Sequence, residues 1–233
     1  MKFSSDELIQ KSRIMILPTR PLSPFPEMEI LNKTFKAWIE TWEEVEALTD
    51  FKFNRDDFFR QDAVLTVLSP DDEVMGCHLY SFFNLENKCS TEFSFYNKFD
   101  HSYRNFLSEN EVVYSFSVEY LTVCKDFRRN GVVSLAKAII SLSCHLLESS
   151  SFDGILAQTR DDVKVNLMAE EFGGKIISRG FKMNGIDSSY VVFQKNETNV
   201  GQTIPVIKFV QSMWDKRLDL MNISNQSIKK EAA

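Results

Sequence analysis

The chain has 233 residues, 43% hydrophobic and 26% charged, enough to bury one sizeable core as an ordinary globular protein without invoking a second. Its 27 Lys+Arg against 33 Asp+Glu leave a formal net charge of −6, which argues against a nucleic-acid partner, since non-specific binding there needs a basic face. Cys77, Cys89, Cys124 and Cys144 show no C-x-x-C spacing, His78, His101 and His145 form no metal-ligand pattern, and no signal peptide is evident. The expectation is a cytoplasmic protein with reduced thiols and no metal site.

In chain order, residues 1–28 combine a short polar helix candidate (Ser4 to Ser12) with Pro18, Pro21, Pro24 and Pro26. That proline density predicts an extended N-terminal arm lying on the surface. A long helical segment from Glu29 to Leu48 follows. Strands Ala63–Leu68 and Glu73–Phe83 flank Ser69-Pro70-Asp71-Asp72, which is hairpin-turn chemistry. Residues 84–110 are polar but carry Phe93, Phe95, Tyr96, Phe99, Tyr103 and Phe106. They predict an insertion packed over the core, either shaping a substrate pocket or simply an aromatic-stapled loop.

Next comes an apolar strand ending at Val123. Alternation places Ser115, Ser117, Glu119, Leu121 and Val123 on one face, and Tyr120 on the other, if no bulge intervenes. A basic turn leads to a helix predicted over Val132 to Leu147. Lys137 and His145 break its apolar run, so it reads as a core helix and not a membrane span. Asp153 to Gln158 reads as a strand, and Asp162 as the cap of a helix that runs to Phe172 and ends at Gly173-Gly174. A strand from Lys175 to Phe181 follows. Beyond Asn196, Ile207, Val210, Trp214, Leu218 and Met221 recur at helical spacing. This amphipathic helix, within a C-terminal unit of residues 201–233, is expected to cover the domain or to mediate a homodimer, with a frayed tail from Asn222.

The turn between the strand and the long helix carries the most chemistry. A strand feeding a helix leaves unpaired N–H groups at the positive end of the helix dipole, a ready site for phosphate. Arg128 and Arg129 add charge, and Gly131 allows close backbone approach. Neither G-x-G-x-x-G nor G-x-x-x-x-G-K-[ST] occurs in the chain.

Arg128-x-x-Gly131-x-Val133, after a strand ending in Leu121-x-Val123, resembles the acyl-CoA-binding motif of the GNAT superfamily of N-acyltransferases. Val133 stands where that family usually has a small residue. The order of elements from about residue 29 to 195 is similar as well. The resemblance implies an α/β (α+β) fold, with a central mixed, mostly antiparallel twisted sheet flanked by helices, in a domain spanning 29–200. It implies acetyl-CoA or another acyl-CoA as cosubstrate. The backbone of Arg129, Asn130, Gly131, Val132, Val133 and Ser134, aided by Arg128, would hold the pyrophosphate, and Leu121 and Val123 would flank the pantetheine arm. Arg160 and Lys164 are further candidate phosphate contacts.

Acyl transfer needs a base for the amine, donors for the oxyanion and a stabilised thiolate. Glu119 is the candidate base and Ser117 a candidate relay. Tyr120 and Tyr190 are candidates for the acid role, because no tyrosine lies between them. Cys124 lacks a neighbouring histidine in sequence and is not needed for direct transfer. The function implied is an N-acyltransferase, acetyl first, acting on a small-molecule or peptide amine. The alternatives are a non-catalytic module that binds acyl-CoA or a protein partner, and a long-chain acyltransferase fed by acyl carrier protein.

Overall fold

The structure, a computed structural model, describes residues 3–128, 133–183, 185–200 and 204–223. Helix α1 (Ser5–Lys11) and strand β1 (Arg13–Pro18) precede the long α2 (Met28–Leu48) and the single turn α3 (Asp57–Arg60). Strands β2 (Ala63–Leu68), β3 (Val74–Tyr80) and β4 (Phe82–Asn84) lead into three short helices, α4 (Lys88–Thr91), α5 (Ser94–Asn97) and α6 (His101–Glu109). Then come β5 (Tyr114–Val123), α7 (Leu135–Ser149), β6 (Gly154–Arg160) and α8 (Val165–Glu171). The remaining elements are β7 (Lys175–Met183), β8 (Ile186–Gln194), α9 (Ile204–Asp215) and β9 (Leu218–Asp219).

The strands form one sheet in the order β7-β8-β6-β5-β3-β2-β1-β9, with β4 paired to β5 off that path. Only β5–β6 and β1–β9 pair in parallel among the described strands. This is the mixed, mostly antiparallel sheet flanked by helices that the sequence implies. β2 and β3 are buried at every position because helices cover both faces. Beneath α1, α7, α8 and α9 lies a core that includes Ile139, Leu142, Phe172 and Val210. Across the sheet, α2 presents Leu31, Thr34, Trp38, Thr41 and Trp42 from one face, and Trp38 meets Phe58 of α3 at 5.5 Å between ring centroids. The insertion 84–110 packs beside α2 on this second face, with Phe95, Phe99 and Tyr103 gathered against Tyr190. No helix among the described residues is long and apolar enough to cross a membrane.

Three expectations need correction. The N-terminal arm is not an extended surface segment: Ile14, Met15, Ile16 and Leu17 are buried in β1, which pairs with both β2 and β9. Four consecutive apolar residues form a strand covered on both sides, and the prolines begin only where it ends. The long helix starts at Leu135 and not at Val132, because the Ser134 side chain caps it by accepting from the Lys137 N–H. At the C-terminus, the helix stops at Asp215 and Leu218 belongs to β9. Phe209, Val210, Met213 and Trp214 are buried within the chain, so the face considered for a homodimer is filled by α7, α1 and β1. Ile223 is also buried, so fraying does not begin at Asn222; residues 224–233 lie outside the described residues.

Gly76 in β3 marks how closely β3 approaches β5 and α7. A Cβ there would collide with the Thr122 carbonyl oxygen and stand 2.9 Å from Ile139 Cδ1. Gly76→Ala is therefore expected to cost about 1–3 kcal/mol of stability, read as a lower urea midpoint at unchanged slope.

Candidate active site

The site begins with a defect in β5. On one side β5 pairs with β6 from Ser115–Gly154 to Val118–Ala157, and there the ladder stops, although both strands continue. The two parallel strands therefore splay beyond Val118. On the other side, Leu79 of β3 faces Glu119 while Cys77 faces Thr122. Two β5 residues, Tyr120 and Leu121, are thus set against the single residue His78, which is a β-bulge. Tyr120 takes the strain, with φ at 56°, an uncommon conformation for a bulky side chain.

The bulge overturns the predicted alternation. Glu119 and Tyr120 both lie toward the α2 and α3 side, whereas Leu121 and Val123 turn to the α7 core. Tyr120 packs edge-on against Trp38 and Trp42, at 5.3 and 5.0 Å between centroids, and its hydroxyl donates to Asp57 Oδ2 at 2.7 Å. Thr122 accepts from Trp42 Nε1 at 3.0 Å, which fixes α2 over the strand just past the bulge.

A cavity of about 460 Å³ opens at the splay. Its walls come from the C-terminal half of α2 (Trp42, Val45, Leu48), from Phe95 and Lys98 of the insertion, from Glu119 to Leu121 and Val123, from Gln158 and Arg160 of β6, and from Met168 of α8. Behind it, a smaller cavity of about 50 Å³ shares Val118, Tyr120, Leu121 and Gln158 and reaches His78 and Ser143.

Glu119 is the electrostatic focus. Ser117 accepts from the Ser81 N–H at 3.1 Å, and its own hydroxyl donates to Glu119 Oε1 at 2.8 Å. Ser117 therefore steadies the carboxyl directly, without an intervening water. Burial is the main influence and pushes Glu119 up to about 7; the Ser117 bond and the Lys98 charge oppose it, while Asp57 adds to it. A carboxyl so placed exchanges its proton near neutral pH, as a general base must.

The other candidate groups are less available. Tyr120 is held protonated by burial first and then by its bond to Asp57. The Tyr190 hydroxyl donates to the Lys98 carbonyl at 2.5 Å and so ties down the insertion. Burial pushes the Cys124 thiol up to about 11, the opposite of what a nucleophile needs. Among the described residues, no group of three His, Cys, Asp or Glu side chains is placed to hold a metal ion.

At the end of β5, Arg128 Nε donates to the Val123 carbonyl at 2.9 Å, and Nη1 lies 2.9 Å from Glu44 Oε2 of α2. Arg129, Asn130, Gly131 and Val132, the centre of the predicted phosphate cradle, lie outside the described residues. Val133 is buried against the α7 core and Ser134 is the α7 cap. Arg160 pairs with Asp162 (Nε–Oδ1 3.0 Å), so Asp162 does not cap α8. Lys164, at φ 61°, occupies that cap position. Sequence reasoning missed Asp57, Trp42, Lys98 and Gln61, whose side chain hydrogen-bonds the Glu119 carboxyl and favours its ionised form. None has a motif, and only Lys98 lay within a segment already suspected of shaping a pocket.

No family model matches the sequence, and no curated protein matches it either. Solved structures do. The chain is similar to a CoA-dependent acyl-homoserine lactone synthase, BjaI, solved with SAM and isopentyl-CoA, at 11% identity and TM-score 0.55 over 89% of this chain and 93% of that one. The same enzyme with MTA gives TM-score 0.51, again at 11% identity and over the same shares of both chains. Arabidopsis thaliana NAA60 in complex with a bisubstrate analogue is found at 13% identity and TM-score 0.48, over 79% of this chain and 99% of that one. At these identities the likeness speaks for the fold alone: the chain shares its architecture with the acyl-homoserine lactone synthase BjaI.

Proposed function

We propose that this protein is an N-acyltransferase that moves an acyl group from acyl-CoA to an amine by direct transfer, with Glu119 as general base. The observation that carries the reading is Glu119 itself. It is a carboxyl raised to about 7, fixed by Ser117, on the wall of a cavity that opens where two parallel strands part. The surroundings suit the donor. Beyond Val118, β5 has no ladder partner on the β6 side, so an extended amide-bearing arm can lie along it. Arg128, at the β5 end, would meet a phosphate by exchanging its ion pair with Glu44.

The chemistry balances with these groups. Glu119 takes one proton from the ammonium, the neutral nitrogen forms a bond to the thioester carbonyl carbon, and the C–S bond breaks. The second proton that the nitrogen loses on becoming an amide passes through solvent to the departing sulfur. A thiol with an ordinary pKa of about 8.5 leaves as thiolate without an obligatory acid, so the engagement of Tyr120 with Asp57 is no obstacle. A cavity of about 460 Å³ admits more than an acetyl group. The donor is therefore taken as acyl-CoA, with acetyl as its smallest member.

Acyl-CoA should raise the melting temperature of the protein by mass action, about 2.7 kcal/mol at a hundredfold excess over Kd. Glu119→Gln should keep that shift while lowering kcat/KM about 10²- to 10⁴-fold. The wild-type rate should rise with pH through about 7, as Glu119 ionises. That limb should be absent in the variant, and its persistence would remove Glu119 from the mechanism.

The same carboxyl should be visible in stability. Its folded value lies above the reference of 4.5, so the folded state binds the extra proton and is favoured below pH 4.5. This stabilisation is lost as pH rises through about 7. Glu119→Gln should flatten the decline between those limits in urea titrations run at several pH values. Ser117→Ala, which removes a bond favouring the ionised form, should instead move the kinetic limb to higher pH.

A further inference from the structure

The charges lining the cavity at the splay are unevenly matched. Arg128 is engaged by Glu44, and Arg160 by Asp162. Lys98 lines the same cavity as Glu119, yet no described carboxylate stands within ion-pairing distance of its ammonium. Its backbone is nonetheless held in place. Its carbonyl accepts from Tyr190 at 2.5 Å, its N–H donates to the Phe95 carbonyl at 3.3 Å, and Phe95 is itself buried against Phe99. The braced backbone keeps Lys98 on the cavity wall, with its exposed side chain free to bring the charge toward an occupant. Lys98 is close enough to Glu119 to favour the ionised carboxylate. The cavity therefore offers an acceptor one negative and one positive group, with apolar walls such as Phe51, Phe95 and Ile186 around them.

We infer that the acceptor is a primary amine that also carries a carboxylate and an apolar side chain, its nitrogen at Glu119 and its carboxylate at Lys98. This assignment rests on the acyltransferase reading above and makes Lys98 a specificity-determining residue. A simple cationic amine would meet Glu119 but would also meet Lys98 as a like charge. A zwitterion satisfies both, and each of its charges is matched on entering a partly dehydrated space. The bond changes at the reacting centre are those already given: one ammonium proton goes to Glu119 and the second to the departing sulfur through solvent, and the carboxylate takes no part in the covalent step.

The test compares matched acceptors, L-phenylalanine against 2-phenylethylamine and L-leucine against 3-methylbutylamine, on the full chain with acetyl-CoA and hexanoyl-CoA as donors. Acceptor binding to the CoA-loaded protein is measured by calorimetry, and turnover by thiol release. The carboxylate-bearing partner of each pair should be preferred about tenfold or more in Kd and in kcat/KM. Lys98→Met, compared with wild type above about pH 8 where Glu119 is ionised in both, should erase most of that preference through Kd and KM. It should leave the KM for acyl-CoA unchanged while moving the kinetic limb to higher pH. Lys98→Arg should restore much of the preference. Equal binding of the matched partners, binding of neither, or a Lys98→Met effect on both alike would overturn the assignment. So would an effect confined to the KM for acyl-CoA, which would place Lys98 on the donor side. Acylation of amines without a carboxylate preference would sink this inference and leave the acyltransferase reading standing. Absence of any acyl-CoA-induced thermal shift would instead remove that reading.

Discussion

The site depends on one backbone conformation, the left-handed Tyr120 in the middle of β5. A bulge adds a residue on one side of a ladder without a counterpart on the other, and it bends the bulged strand. Here that puts two β5 residues against His78 and brings two neighbours in sequence, Glu119 and Tyr120, onto the same side of the sheet. It also coincides with the point where β5 and β6 separate. A tyrosine at positive φ costs of order 1–3 kcal/mol. The surroundings that offset this cost are specific: two tryptophan edges and a hydrogen bond to Asp57. The strained residue is thus fastened by α2 and α3, elements far from it in sequence.

The two covers on that side of the sheet divide the work. α2 braces β5 from above through Trp42 and Thr122, while the aromatic insertion leans on β8 through Tyr190. The cavity lies where they meet, over the parted strands. Its polar groups therefore come from segments distant along the chain, with Glu119 and Ser117 on a strand, Ser81, which holds Ser117, on the β3–β4 corner, and Lys98 on the insertion. Rigid elements thus carry Glu119 and Ser117, and a packed loop carries Lys98.

Much of this was legible in the residues. β2 was bounded correctly by its apolar run and the turn behind it, and α2 by its helical periodicity. The order of elements led to the right sheet. Where the reading failed, non-local contacts decided. Ile14 to Leu17 is a fully covered strand, and such a strand shows no alternation to betray it; the prolines that follow drew the segment toward a loop. The bulge had no signal at all, because positive φ is announced by glycine or asparagine and seldom by tyrosine. Once it was missed, the faces of Tyr120, Leu121 and Val123 were assigned wrongly as a block. Glu119 and Ser117 were assigned to one face correctly because they precede the bulge, where simple alternation still holds. Their direct hydrogen bond is the expected relation of two side chains at i and i+2 on one face. Asp57, Gln61 and Lys98 come from elsewhere in the chain, and no spacing rule could have brought them to the site.

The way the sheet ends at β9 has a consequence of its own. β1, buried and apolar, would otherwise present a row of open amides and carbonyls to any passing strand. Leu218 and Asp219 run beside Met15 and Ile16, and the Leu220 N–H reaches back to the Ile16 carbonyl at 3.0 Å. What is left outermost is a two-residue strand, too short to template growth by another chain. The last described stretch of polypeptide thus blunts a sticky border, guarding against edge-to-edge self-association.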